Sequence, residues 1–426
     1  ILEPLRQRDA ASIDGSRIVG LGARVDAVSG SYMRVLVPLR LLKNLSELPD
    51  VKRIRAPTPA IPVDAGFGPI VSESVALTGA DAVQLAGFDG AGVKVAVVDL
   101  GFIGLSDAIT AGELPAGVVR VKGNQEGVNI ELGNQHGVGV AEHVMDMAPG
   151  AELYCIYIED EVDLENAADY LSANGIRIAN HSVAWVNASY YDDTGPIASI
   201  INESSDLDGV FWAVASGNFA RRHWRGNWFD PEGNDTLNFA GDVERMDLSG
   251  TSETAFVFLN WDQYGNSLTD LDLYIKDKNG IIIAESTDPQ NGSQEPSEGV
   301  TFPYLSSEIP YTVEVVRYSG PTEGLDVTVF SFRHDFLYNV ESYSLMEPAD
   351  AHGAFTAGAI DYGDWGLPDP PPEYFSSQGP TTDGRLKPDI MAPDGTTSWT
   401  YGASYGTSFA SPTTAGAAAL MLQIDP

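Results

Sequence analysis

From about Ala80 the chain repeats one pattern, a short apolar or β-branched run followed by a helical stretch, and this restricts the fold more than any other feature. Val93-Lys94-Val95-Ala96-Val97-Val98 opens the series, and further apolar runs lie at Leu153–Ile158, Ile176–Ile178 and Val210–Val214. Helical stretches separate them, at 137–147, 163–173 and 195–205. A strand that is apolar throughout must be covered on both faces, and parallel neighbours are joined by crossover helices. The alternation therefore predicts a parallel sheet with helices on both faces. In such a sheet, functional groups gather at the carboxyl ends of the strands.

Two stretches break the pattern. Residues 1–60 read as a small α+β unit, with strand-like Tyr32–Val37, helical Leu39–Leu48 and a short strand at Val51–Ile54. A run rich in proline and glycine, Ala56–Gly68, follows as a linker. From Asn227 to about Leu345 the texture is one of short alternating strands: Thr254–Leu259, Leu271–Ile275, Ile281–Ala284, Tyr311–Val316 and Asp326–Phe332. Turns such as Lys278-Asn279-Gly280 and Asn291-Gly292 separate them, which is the signature of an all-β sandwich. The α/β texture resumes at Ala354, so the sandwich reads as an insertion. The expected division is 1–60, a linker at 61–79, α/β at 80–226, the insert at 227–347 and α/β again at 348–426.

With 43% hydrophobic and 9% aromatic residues the chain can fill such cores. Its net charge of -36 repels nucleic acid phosphate and anionic membrane surfaces, which excludes both as expected partners. The 24 basic residues are 7 Lys and 17 Arg, a balance that fits either an ion-rich exterior or simply a secreted protein with an acidic surface. Cys155 is the sole cysteine, in a buried-strand context, so no intramolecular disulfide forms. No run of about 18 apolar residues is present. The chain opens at Ile1 without a signal-like stretch and closes at Pro426 directly after a helix, as expected of a fragment of a longer precursor.

One segment carries chemistry. Gly406-Thr407-Ser408-Phe409-Ala410-Ser411-Pro412 is a small-residue turn delivering a serine to the start of a helix rich in alanine and glycine. A hydroxyl there meets the positive end of the helix dipole and unpaired backbone N–H groups, which a nucleophile generating an oxyanion requires. Ser and Thr are also ordinary N-caps, so the segment alone leaves the question open. Three others join it: Asp99 ends the first strong strand, His136 opens Gln135–Glu142, and Asn218 ends Trp212–Asn218. Each alone has a structural explanation, as a cap, a core histidine or a turn residue. Four complementary types at the ends of strands and starts of helices are hard to explain as structure alone.

These segments resemble those of the subtilisin-like serine proteases, or subtilases. Val95–Gly101 is similar to the family's aspartate motif, His136–Ala141 to its histidine motif, Ala215–Asn218 to its oxyanion asparagine motif and Gly406–Pro412 to its serine motif. Phe375–Pro380 through Lys387–Pro393 resembles the lead-in to the serine. The likeness covers roughly residues 80–225 and 350–426. Two departures stand out: His136-Gly137-Val138-Gly139 lacks the threonine and second histidine of the commonest form, and the stretch from Asn218 to Ser408 is long, which the insert explains.

The resemblance implies a three-layer, doubly wound parallel sheet of subtilisin type, with an inserted β-sandwich and an N-terminal α+β unit similar to the family's propeptide. It implies a secreted, extracellular endopeptidase: Ser408 as nucleophile, His136 as general base and acid, Asp99 orienting the imidazole, and Asn218 with the Ser408 N–H as oxyanion donors. Ser182-Val183-Ala184-Trp185 and Ala215-Ser216-Gly217 would line the cleft and pair with an extended peptide. Trp185 would cap a subsite or serve packing. A propeptide would be cut within Ala60–Val71; the alternative is a permanent extension.

The expected partner is a protein or peptide substrate, and the expected state a monomer that requires no cofactor. His136 and His143 share a helix face but lack a carboxylate to complete a zinc site. Asp270 and Asp272, and the acidic run Asp230–Asp235, offer oxygen ligands of the kind structural calcium takes. The basic patch Arg221–Arg225 reads as ion pairs at the junction with the insert or as a substrate contact. The acid-acting sedolisin branch would carry glutamate at 136 and aspartate at 218, which this chain does not. The reading from another class is a catalytically silent relative acting through its β-insert as a binding or matrix protein.

Overall fold

Along the strand Lys94–Asp99 the side chains divide by a period of two: Val95 and Val97 enter one hydrophobic core, Ala96 and Val98 another. The strand is therefore covered on both faces. The first core adds Val138, Val140, Ala141 and Val144 from the helix His136–Met147, and Ala415 and Ala419 from the helix Thr407–Ile424. The second adds Leu164, Ala167 and Leu171 from Glu161–Ala173, and Ile197, Ala198 and Ile201 from Pro196–Asp208.

The computed structural model describes residues 2–4, 12–28, 33–54, 70–292, 294–305 and 309–426. The linker expected at Ala56–Gly68 lies outside the described residues, as does most of the expected cleavage region. The chain divides into two units, Ile1–Gly66 and Phe67–Pro426. In the first, a four-stranded antiparallel sheet and the short helices Gly15–Gly20 and Leu42–Ser46 enclose Leu2, Ile18, Met33, Leu45 and Val51.

The second unit is built on an eight-stranded sheet in the order Ile390–Asp394, Ala354–Asp361, Phe211–Ala215, Ile178–His181, Lys94–Asp99, Glu152–Tyr157, Val119–Lys122 and Gln125–Glu126. Every neighbouring pair but the last runs parallel. From Lys94–Asp99 the chain goes first to the far edge at Val119–Lys122 and Gln125–Glu126, returns beside the first strand at Glu152–Tyr157, and then winds outward on the other side from Ile178–His181. The crevice between Lys94–Asp99 and Ile178–His181, where Val98 lies level with His181, is a switch point of the kind that hosts sites in open α/β sheets.

Between His223 and Phe336 lie two antiparallel sheets. His223–Asn227, Asp326–Phe332, Thr254–Trp261 and Ser297–Pro303 form one, and Ile282–Ser286, Asp270–Lys276, Tyr311–Ser319, Met246–Ser249 and Asp335–Phe336 the other. Val257, Leu259 and Trp261 meet Leu271, Leu273 and Ile275 in one core, as the alternation in each strand dictates. The first strand, His223–Asn227, begins before Asn227, where the all-β texture starts in the sequence.

Candidate active site

Asp99 is the last residue of its strand and 1% exposed. Its Oδ1 accepts the Leu100 N–H at 2.8 Å, and its Oδ2 lies 2.8 Å from His136 Nδ1. His136 is the first residue of its helix, where its backbone N–H donates to Asn134 Oδ1 at 2.7 Å. The glycine after it is obligatory for close approach: a Cβ on Gly137 would stand 2.6 Å from the Gly101 carbonyl oxygen. That approach lets the Gly137 N–H bond Gly101 O at 2.9 Å and brings the helix start onto the loop after Asp99.

With Nδ1–H donated to the carboxylate, the Nε2 lone pair is left to accept a proton. Burial opposes charge on His136, but the Asp99 charge and hydrogen bond outweigh it and hold the imidazole above its ordinary value of 6.5.

Gly406 sits at φ 127° and ψ 153°, open in practice only to glycine, and turns the chain into the helix Thr407–Ile424. Asn218 Oδ1 accepts from the Thr407 N–H at 3.0 Å and from Thr407 Oγ1 at 3.2 Å. Because the Thr407 N–H can only donate, the amide oxygen must face it and the amide N–H groups must point away. Thr407 Oγ1 in turn accepts the Gly217 N–H at 3.1 Å, and Ser377 bonds Gly217 O and the Phe219 N–H, so the Ala215–Asn218 turn is held from both sides. Among the described residues neither the Asn218 amide nitrogen nor the Ser408 N–H has a hydrogen-bond partner. These are two donors at the start of one helix.

The Ser408 hydroxyl donates to the Ser182 carbonyl at 3.4 Å rather than to His136. The Phe409 ring beside it lies 6.1 Å from the imidazole. The structure thus joins Asp99 to His136, and Asn218 to the serine turn, but leaves the Ser408–His136 hydrogen bond unmade. Such bonds often tighten only when substrate is bound.

Ser182 is tied to the serine helix twice over. Its Oγ donates to Ser408 O at 3.1 Å and accepts from Asn180 Nδ2 at 3.0 Å, while Asn180 Oδ1 accepts from Ser411 Oγ at 2.6 Å. Val183 is half-buried, and Ala184 packs against the cluster of Tyr191, Phe219, Phe330 and Met346. Trp185 packs against the second core of the sheet, its N–H donating to Glu347 O at 2.9 Å and its indole N–H to His181 Nε2 at 3.3 Å. Ala215 is half-buried, Ser216 is buried and donates its N–H to Ala357 O at 2.9 Å, and Gly217 adopts a φ of 102°.

Other sequence candidates lie apart from this cluster. Burial holds His143 near 4, where it is bonded to Gly139 O and Thr396 Oγ1. Asp270 and Asp272 are both buried in the sandwich, and burial raises both; Asp272 accepts from the Tyr274 hydroxyl at 2.9 Å. Asp230 is spent on the backbone N–H groups of Gly233, Asn234 and Asp235. Among the described residues no three His, Cys, Asp or Glu side chains are grouped to hold a metal ion. Arg222 pairs with Asp335 at 3.1 Å, and Arg225 donates to Asp326 at 2.9 Å and stacks on Tyr343, so two arginines of the basic patch are occupied by the sandwich. Among the described residues no helix is long and apolar enough to cross a membrane.

Sequence reasoning passed over Asn134, Thr407 and Asp394. Asp394 directly follows the Lys387–Pro393 run, and its Oδ2 accepts the Gly406 N–H at 2.8 Å. The clue was a carboxylate in an otherwise apolar strand.

The fold is similar to that of subtilisin-like serine proteases. Residues 337–426, which hold the last two strands of the parallel run and the serine helix, match the model of the subtilase family (Peptidase_S8). The CspB protease of Clostridium perfringens shares the fold, with a TM-score of 0.55 and 15% identity over 83% of this chain and 86% of that one. MycP1 from Mycobacterium smegmatis aligns with a TM-score of 0.40 and 16% identity over 88% of this chain and 79% of that one. A lanthipeptide protease gives 0.42 and 14% identity, over 82% and 79%.

Proposed function

We propose that the protein is a secreted serine endopeptidase that cleaves peptide bonds through an acyl-enzyme formed on Ser408. The observation that carries the reading is the Asp99–His136 pair at 2.8 Å, its imidazole 6.1 Å from the Phe409 ring of a helix start where two donors have no partner among the described residues. Ser408 Oγ rotates from Ser182 O toward His136 Nε2 and attacks the peptide carbonyl as His136 takes its proton. The charge that develops on the carbonyl oxygen is met by Asn218 Nδ2 and the Ser408 N–H. His136 then protonates the leaving amine, and water repeats the cycle on the acyl-enzyme. Asp99 keeps the Nδ1–H tautomer and stabilises the imidazolium, in keeping with the raised proton affinity of His136.

The substrate is an extended peptide lying along Ser182–Trp185 and Ala215–Gly217. The enzyme works as a monomer outside the cell, without nucleic acid, membrane or required cofactor, and any calcium at Asp270 and Asp272 serves stability. The unit at 1–60 acts as a propeptide, released by cleavage in the linker.

The deciding experiment is labelling with a serine-directed fluorophosphonate. Ser408 of the folded, processed protein is expected to label, and the label to vanish in Ser408→Ala. If folded wild type stays unlabelled, the protein is a silent relative acting through its β-insert. Asn218→Ala is expected to lower kcat by ~10²–10³ with KM little changed, because its amide N–H meets charge that exists only in the transition state. Steady-state kinetics on a chromogenic peptide checks it; an equal rise in KM would assign Asn218 to ground-state binding instead.

A further inference from the structure

We propose that Asp394 is a positioning residue of this site: its buried carboxyl fixes the turn carrying the oxyanion donors, and its charge state sets how well that turn stabilises an oxyanion. The proposal rests on the acyl-transfer reading above. Asp394 ends the strand Ile390–Asp394 and is 0% exposed. Its Oδ2 accepts the Gly406 N–H, the next N–H along the chain is held by Asn218, and the one after that, on Ser408, has no partner among the described residues. Three successive N–H groups are thus sorted, two clamped from behind and one left for the substrate. Without the carboxyl, Gly406 would keep a buried donor with no acceptor in a backbone conformation that already needs glycine.

Asp394 Oδ1 is buried without a partner. The groups facing the carboxyl are Asp361 at the end of the neighbouring strand, level with it in register, Glu373 from the following loop, and the phenols Tyr362 and Tyr405. Among the described residues no cation acts on this carboxyl. Burial first, then Glu373 and Asp361, push Asp394 up to about 7 against the Gly406 hydrogen bond. Below that value the carboxyl is neutral; above it a negative charge stands behind the turn and opposes a second one forming on the substrate oxygen.

The test compares full-length wild type, Asp394→Ala and Asp394→Asn, with active enzyme counted by fluorophosphonate titration and folding checked by thermal melting. Asp394→Ala is expected to lower kcat by ~10–10²-fold at every pH with KM within about twofold, as misplaced donors would. Asp394→Asn keeps an acceptor for Gly406 and is expected to match wild type within about threefold near pH 6. Its kcat relative to wild type then rises about five- to tenfold by about pH 8.5, because only the wild type gains the charge. A ratio that does not change with pH overturns the charge role, and wild-type kcat in folded Asp394→Ala overturns the positioning role. If the alanine variant does not fold, the pH dependence of the asparagine variant decides alone. Wild type that takes no label overturns the acyl-transfer reading and this proposal with it, a result distinct from either of the others.

Discussion

Replacing Ser408 by alanine is expected to remove turnover almost completely, by ~10⁴–10⁶-fold in kcat, while leaving the fold intact. The two halves of this expectation come from different observations. Among the described residues the hydroxyl makes one hydrogen bond, a long one of 3.4 Å to the Ser182 carbonyl, so its loss strands no tightly held partner. The helix start is held by other atoms: Thr407 by Asn218, Gly406 by Asp394, and the Ser408 carbonyl by Ser182 Oγ. The melting temperature should therefore stay within a few degrees of wild type. The rate falls because the hydroxyl that is to attack the peptide carbonyl is gone. The trace of activity that remains would come from the two oxyanion donors and from substrate binding. Single-turnover kinetics and melting curves on the same preparation check both halves. A folded variant that keeps more than a few per cent of wild-type turnover would move the nucleophile elsewhere.

Val95–Val98 announces a doubly covered strand because β-branching and burial act within a few residues, and Asp99 is then placed at its end by counting. The helices at 137–147, 163–173 and 195–205 were readable for the same reason, and differ from those observed by three residues or fewer at each end. His223–Asn227 was not readable as a strand. His-Trp-Arg-Gly-Asn has little alternation of its own, and becomes a strand because Trp224 and Arg225 lie opposite Val329 and Thr328, about a hundred residues later. Met246–Ser249 and Ser297–Pro303 were missed likewise, since their partners are distant in the chain. Asp394 hides for the opposite reason. It reads as a lone carboxylate closing an apolar strand, and only the three-dimensional path that returns Gly406 to its Oδ2 gives it a task. The orientation of the Ser408 hydroxyl was beyond reach altogether, because a rotamer is chosen by neighbours and not by composition.

The second large effect is expected at Asp99. Its Oδ1 already accepts the Leu100 N–H, and only Oδ2 faces His136. An asparagine there must keep its amide oxygen on the Leu100 donor, which turns its NH₂ toward Nδ1. The imidazole can satisfy that donor only by carrying its proton on Nε2, the nitrogen that has to accept from Ser408. Asp99→Asn is thus expected to lower kcat by ~10⁴ near neutral pH with little change in KM, through a tautomer and not through lost binding. The pH dependence supplies an independent sign. In wild type the Asp99 charge and hydrogen bond overcome burial and hold His136 above 6.5, so kcat/KM should rise with pH along a limb lying above that value. With a neutral side chain at position 99 burial acts unopposed, the imidazolium is disfavoured, and the limb should move below 6.5. Rate profiles for both proteins, with the His136 ring protons followed by NMR, test the two consequences together. A variant whose rate falls while its limb stays in place would mean that Asp99 acts on geometry alone, since the charge that holds the proton on His136 would have gone without effect.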